Sequence, residues 1–205
     1  MTRPSSRAEQ KERTRQEILD RSLELAADRT FASLSLREIA RAANLVPTAL
    51  YRHFSSLEQI GLNLVDDGVR ALRPMLREAR RAEASVDKSM DVLFTHVREN
   101  RALFRFLHRE RFSGSGQVQR AIEMEMRLIA SELTIDMSRN KHLQDWKSGD
   151  LDMAANLVVT AVFDAIMSFI NAEPFGNRAE EDIVSRIKQQ LRLIFAGMAA
   201  WRPRS

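Results

Sequence analysis

Along almost the whole chain, apolar residues recur at spacings of three and four, the period of a helix with one buried face. Strand-type alternation and internal repeats do not stand out. Ile18, Leu19, Leu23 and Ala26 predict a first helix over about residues 8–29, with Lys11, Arg13 and Arg15 mostly exposed. Leu36, Ile39 and Ala40 predict a second, started by a capping box between Ser35 and Glu38 and a hydrophobic staple between Leu34 and Ile39. It should stop at Ala43-Asn44, because Asn tolerates the left-handed conformation of a helix end. Pro47 suits the first turn of a third helix, where a missing N–H costs nothing. Leu50 and Phe54 then face inward, and Thr48, Tyr51 and Arg52 fall on other faces. Ser55 and Glu58 offer a further capping box for a long helix carrying Ile60, Leu64, Leu72 and Leu76, with a kink or break expected at Pro74.

The rest of the chain continues in the same period. Stripes at Val86, Met90, Phe94 and Val97, at Leu103, Phe104, Phe106 and Leu107, and at Val118, Ile122, Met126, Ile129 and Leu133 predict three more helices. Ile183, Ile187, Leu191, Ile194 and Met198 mark the last one. Loops are expected at Ser113-Gly-Ser-Gly116, at 138–150 and at 173–177. Between Leu151 and Ile170 the chain is nearly all apolar and close to the ~20 residues of a membrane span. Asp152, Asn156, Thr160, Asp164 and Ser168 draw a polar stripe along it, so the reading is a helix buried on several sides by its own core and a partner chain, with no membrane insertion. With the last helix it can form an intermolecular four-helix bundle, giving a homodimer through 151–170 and 180–201. Asp164 reads as a hydrogen-bonded polar position in that interface, with a buried acid or a ligand contact as the alternatives.

Two short helices joined by a tight turn at 34–54 describe a helix-turn-helix, whose second helix can enter the DNA major groove. The expected fold class is therefore all-α: an N-terminal three-helix DNA-binding domain over residues 1–55, then a helical ligand-binding and dimerisation domain over 56–205. A twofold dimer would carry two recognition helices about one DNA turn apart and call for a palindromic double-stranded operator. Thr48 can meet base edges or a thymine methyl. Tyr51, Arg52 and His53 can reach phosphate, and Ser35 and Arg37 begin the helix whose backbone N–H groups attract it. Pro47 completes the set of candidate DNA-binding residues. Arg3 and Arg7 lie in a stretch that reads either as a solvated tail or as an arm on phosphate or the minor groove.

Composition adds to this and subtracts from it. With 205 residues, 44% hydrophobic residues and only 7 Gly, the chain suits one or two helical domains. The absence of Cys rules out disulfides, thiolate metal sites and a Cys nucleophile, and is compatible with a reducing cytoplasm. The charged start of the chain is unlike an apolar signal segment, so a cytoplasmic protein is expected. A net charge of +4 permits a nucleic-acid partner without identifying one. His53, His96, His108 and His142 fall in no H-E-x-x-H pattern and no P-loop is present, so the reading is no enzyme, no catalytic residue, no metal and no cofactor.

Of the 10 Phe and 9 Met, eight of each lie beyond residue 55, and such residues either pack an ordinary core or line an adaptable cavity. Arg70, Arg73, Arg77, Arg80 and Arg81 form one basic run, and Arg98, Arg101, Arg105, Arg109 and Arg111 a second. Arginine forks suit phosphate, so an apolar tunnel beside such a patch would suit a lipid with a phosphorylated head.

Leu36-Arg-Glu-Ile-Ala-Arg-Ala-Ala-Asn-Leu45 and Thr48-Ala-Leu-Tyr-Arg-His-Phe54 strongly resemble the DNA-binding domain of TetR-family repressors. The sequence departs from the commonest pattern with Asn44 and Thr48 where Gly is usual, Val46 where a capping Ser is usual, and no Lys after Phe54. The resemblance implies dimerisation through the two C-terminal helices. Phe31-Ala-Ser-Leu-Ser-Leu-Arg-Glu38, Pro47-Thr48 with Tyr51-Arg-His-Phe54, and Phe104-Arg-Phe-Leu-His-Arg-Glu-Arg111 look like the DesT/FabR branch. That likeness implies a repressor of unsaturated fatty-acid synthesis that senses long-chain acyl-CoA. On it, Arg105, Arg109 and Arg111 are candidates for the CoA phosphates, and Phe94, Phe104, Met126, Phe163 and Met167 for the acyl chain. The alternatives are the same fold sensing another apolar compound and controlling an efflux or catabolic gene, or a helical lipid-binding adaptor that never touches DNA.

Overall fold

The computed structural model describes residues 6–27, 29–79, 85–113, 116–140, 143 and 145–201, with side chains from 71 to 79 and at 113 left out. The described residues form helices α1 (Arg7–Leu25), α2 (Leu36–Ala42), α3 (Pro47–Leu50), α4 (Leu57–Ala79), α5 (Val86–Glu99), α6 (Arg101–Ser113), α7 (Gln117–Ser138), α8 (Ser148–Asn171) and α9 (Asn177–Ala200). Among the described residues there is no strand. Two compact units result: residues 1–68 with 105–122, and residues 69–104 with 123–205. The first is larger than the 1–55 segment assigned to DNA binding, because the start of α4, most of α6 and the start of α7 pack with it.

In the first unit three helices start on a capping pair set by neighbouring residues. Ser6 accepts the Glu9 N–H at 3.2 Å and the Glu9 carboxylate accepts the Ser6 N–H at 2.8 Å, a capping box that starts α1. Ile18, Leu19 and Ala26 are buried, as their spacing requires. At the start of α4 the cap sits one residue later than expected. The Ser56 hydroxyl accepts the Gln59 N–H at 3.1 Å, and the Gln59 side chain reaches back to the Ser55 N–H at 2.6 Å. Ser56 and Gln59, rather than Ser55 and Glu58, close that turn, and in the helix that follows Ile60 and Leu64 face inward at 0% and 2% exposure. No break occurs at Pro74, since α4 runs on to Ala79. One proline removes a single ladder bond, and the other turns of a helix this long hold it together. Gly61 has a packing reason: a Cβ there would stand 2.7 Å from Val118 Cγ2 and 2.9 Å from Phe31 Cε1.

In the second unit α8 and α9 pack on each other and both pack on α5. Leu151, Ala154, Ala155, Met137, Leu143 and Met198 form one buried cluster, extended by Leu133, Trp146, Val158 and Ile194. Phe94 and Phe169 meet with ring centres 5.0 Å apart. Helix α8 is long and apolar enough to cross a membrane by length and composition. Its stripe of Asp152, Asn156, Thr160, Asp164 and Ser168 is exposed at every position, so the buried-acid alternative for Asp164 is corrected. Ionic ties join α5 to α9: Lys188 to Asp91 at 2.5 Å and Arg192 to Asp87 at 2.7 Å.

Candidate nucleic-acid interface

The turn between α2 and α3 is built by backbone geometry. Asn44 takes φ 54°, the left-handed region. The Leu45 N–H donates to the Ala40 carbonyl at 2.8 Å and the Asn44 N–H to the Arg41 carbonyl at 3.1 Å, the paired bonds of a Schellman stop. Helix α2 begins with the expected capping box: the Ser35 hydroxyl accepts the Glu38 N–H at 3.2 Å, and a Glu38 oxygen accepts the Ser35 N–H at 2.9 Å. The Ser35 hydroxyl also donates to Glu38, and Arg29 binds the same carboxylate at 3.1 Å. The Ser35 bond first, and then the Arg29 bond, hold the Glu38 carboxyl below its ordinary pKa.

Helix α3 has no side-chain cap, since Val46 supplies no hydrogen-bond acceptor there, and Pro47 stands in its first turn. The coil continues past Leu50 as the N–H groups of Tyr51, Arg52, His53 and Phe54 each bond three or four residues back. Leu50 and Phe54 anchor this segment at 0% and 1% exposure. Outward it presents Pro47, Thr48, Tyr51 and Arg52, all exposed, with Arg37 exposed on α2. A rigid row of exposed polar and aromatic side chains over a buried Leu–Phe base is what groove reading requires.

His53 differs from its neighbours. It is half-buried and its Nδ1 has no hydrogen-bond partner. Burial first, and then the charges of Lys11 and Arg15, lower its pKa, so the ring is neutral at pH 7. Arg15 is not a solvated cation either: it donates to Asn63 on α4, with its guanidinium 5.7 Å from the centre of the Phe54 ring.

The two arginine clusters prove heterogeneous. Arg3, Arg80 and Arg81 lie outside the described residues, as do the side chains of Arg73 and Arg77. Arg98 and Arg101 both bind Glu180, which is 3% exposed, and flank the Phe169 ring at 5.3 and 5.1 Å from its centre. Arg109 donates to the carbonyls of Ala26 and Arg29 at 2.8 Å and of Ala27 at 2.7 Å. It thus ties down the backbone from the α1 C-cap, Ala26, through the connection that follows, supplying donors to carbonyls beyond the last turn of the helix. Glu110 beside it is 4% exposed and accepts the Phe31 N–H at 3.1 Å. Arg105 is half-buried, and the Arg111 guanidinium lies 4.9 Å from the centre of the Phe112 ring.

Of the apolar candidates, Phe94 and Phe104 are buried, and Met126, Phe163 and Met167 are half-buried. The head candidates share the first unit and the five apolar residues share the second. Glu110 and Ser6 escaped the sequence reading. Ser6 had a local signal, since Glu9 follows three residues later. Glu110 had none, because its partner is 79 residues away.

Residues 18–62 match the family model of bacterial regulatory proteins of the tetR family. Residues 82–197 match that of the tetracyclin repressor-like C-terminal domain. Solved structures share the fold. A tetR-family transcriptional regulator from Streptomyces coelicolor is 16% identical, with a TM-score of 0.65 over 93% of this chain and 84% of that one. A TetR transcriptional regulator from Legionella pneumophila is 17% identical, with a TM-score of 0.63 over 92% of this chain and 99% of that one. The fatty acid degradation regulator FadR from Bacillus halodurans is 12% identical, with a TM-score of 0.66 over 92% and 96%. The chain therefore belongs to the TetR family and is a DNA-binding transcriptional regulator rather than an enzyme.

Proposed function

We infer that the protein is a dimeric repressor of genes for fatty-acid desaturation or unsaturated fatty-acid synthesis, whose hold on a palindromic operator changes with the shape of a bound long-chain acyl-CoA. The observation that carries the DNA half is the exposed row of Thr48, Tyr51 and Arg52 above buried Leu50 and Phe54. Ser35, Arg37, Pro47 and His53 belong to the same surface in this reading. Exposed Met153 and Leu157 on α8 and Leu193 and Phe195 on α9, at 46%, 54%, 74% and 38% exposure, support pairing through 151–170 and 180–201. Asp164 then sits among the polar positions of that face. A DNA-bound regulator of this kind works in the cytoplasm.

The acyl chain would rest on Phe94, Phe104, Met126, Phe163 and Met167. Likeness of fold to a fatty acid degradation regulator lends this reading support. Arg105, Arg109 and Arg111 are the cationic candidates for a phosphorylated head, and Arg109 already has donors on the carbonyls of Ala26, Ala27 and Arg29. A ligand acts here only through its difference in affinity for the two head spacings. A second reading, the same fold sensing an apolar compound without a phosphorylated head, is favoured by that engagement of Arg109.

A gel-shift titration against a palindromic promoter fragment tests the DNA half, with a salt-dependent, sequence-preferring shift expected. Oleoyl-CoA and palmitoyl-CoA added separately should give different operator affinities. Equal affinities would reject the acyl-shape mechanism while leaving the DNA reading intact.

A further inference from the structure

We propose that the outer face of α7 is a docking surface for the α7 of a second copy of this chain, paired parallel and in register. Met124, Leu128 and Ile135 stand 54%, 44% and 52% exposed on one side of the helix, with Ser131 and Ser138 exposed in line with them. These five positions are separated by four, three, four and three residues. That is the spacing of a coiled-coil seam. The opposite side, carrying Ile122, Ala130 and Met137, is buried in the chain's own core. A globular helix needs one apolar face, and α7 has two.

The flanks of the seam select the occupant. Taking Leu128 and Ile135 as a positions and Met124 and Ser131 as d positions puts Arg120 and Arg127 at g, and Glu125 and Glu132 at e. In a parallel pair each g residue faces the e residue five positions on in the other helix, so Arg120 meets Glu125 of a second copy and Arg127 meets its Glu132. An antiparallel pair would set arginine against arginine and glutamate against glutamate. The helix is thus charge-complementary to itself in one orientation. Arg120 is exposed, the Arg127 side chain is 71% exposed, and Glu125 and Glu132 are half-buried. Arg127 holds Glu123 of its own helix at 4.0 Å, an exposed pair that contributes little and exchanges readily.

The seam from Met124 to Ser138 is about 21 Å long at a helical rise of ~1.5 Å per residue, so the pairing is weak between free molecules. It gains force when neighbouring operators hold two regulators side by side. This surface lies on a different helix from the exposed α8 and α9 residues and adds a second twofold contact.

Sedimentation velocity of the full chain, from low to high micromolar, tests it. A rise in mass beyond the α8–α9 species is expected. Arg120→Glu with Arg127→Glu should abolish the rise, and so should Glu125→Arg with Glu132→Arg, while a mixture of the two variants should recover it. Because the chain has no cysteine, Leu128→Cys and Ser131→Cys give an independent check: oxidation should link each to itself between copies. A mass unchanged across the series with no cross-link at either position overturns the proposal. So does a mass rise that survives both charge reversals.

Discussion

The buried carboxylate of Glu110 accepts the backbone N–H of Phe31 at 3.1 Å, so a residue of α6 completes the turn that leads into the helix-turn-helix. Arg109, the residue before it, takes the carbonyls of Ala26, Ala27 and Arg29, at and just beyond the end of α1. Two adjacent residues of opposite charge thereby bind both sides of one connection. Bonds from a charged group are stronger than neutral ones, and a buried backbone group without a partner is costly.

Arg109→Ala should therefore lower stability by about 1–3 kcal/mol. Arg109→Lys should recover little, because an ammonium cannot span three carbonyls as a guanidinium fork does. Urea midpoints of the three proteins measure this.

Glu180→Ala leaves Arg101, whose side chain is 15% exposed, without its main counter-charge. A loss of about 3 kcal/mol is expected, the low end for an orphaned buried charge. Glu173 stays 3.6 Å from Arg101 and limits the damage. Thermal unfolding checks it, and Glu180→Gln should lie between the two.

Gly61→Ala is a small change with a large expected effect. The new methyl would overlap Val118 and Phe31. The cost of overpacking, roughly 1–3 kcal/mol, should outweigh the gain in helix propensity, and a second change, Val118→Ala, should relieve part of it. Denaturant titration of the single and double variants decides.

Acidification should weaken the first unit in two stages. His53 has a lowered folded-state pKa, so its neutral form favours the fold, and that stability is lost as pH falls below the ordinary histidine value. Glu38 also has a lowered pKa, so its contribution is present above the ordinary glutamate value and is lost as pH falls further, through its folded-state pKa. Melting temperature against pH should show both windows in the native chain. His53→Gln should remove only the upper one, and Ser35→Ala should shrink the lower one.

Thr48→Ala and Tyr51→Ala should each weaken operator binding by roughly five- to 150-fold, as loss of a good base or phosphate contact worth about 1–3 kcal/mol would. Both side chains are exposed, Tyr51 at 54%, so melting temperature should hardly move. Fluorescence anisotropy with labelled operator, set beside the melts, separates loss of recognition from loss of fold.

Features set within one turn of helix were legible in the sequence. The capping box of Ser35 and Glu38, the stop at Asn44, the first-turn Pro47 and the exposed polar stripe from Asp152 to Ser168 all depend on neighbours three or four residues apart. The α4 cap shows the limit of that reading: Ser55-Glu58 and Ser56-Gln59 both have the spacing of a capping pair, and the folded chain uses the second. The arginine clusters exceed it. A cation on a helix has the same sequence signature whether it faces water, a phosphate or a distant carbonyl. Only the folded chain assigns Arg109 to the carbonyls of Ala26, Ala27 and Arg29 and Arg98 and Arg101 to Glu180, partners 79 to 83 residues away. Helical period is a short-range property carried by the residues themselves, whereas the role of a charge belongs to whatever the fold brings within about 3 Å of it.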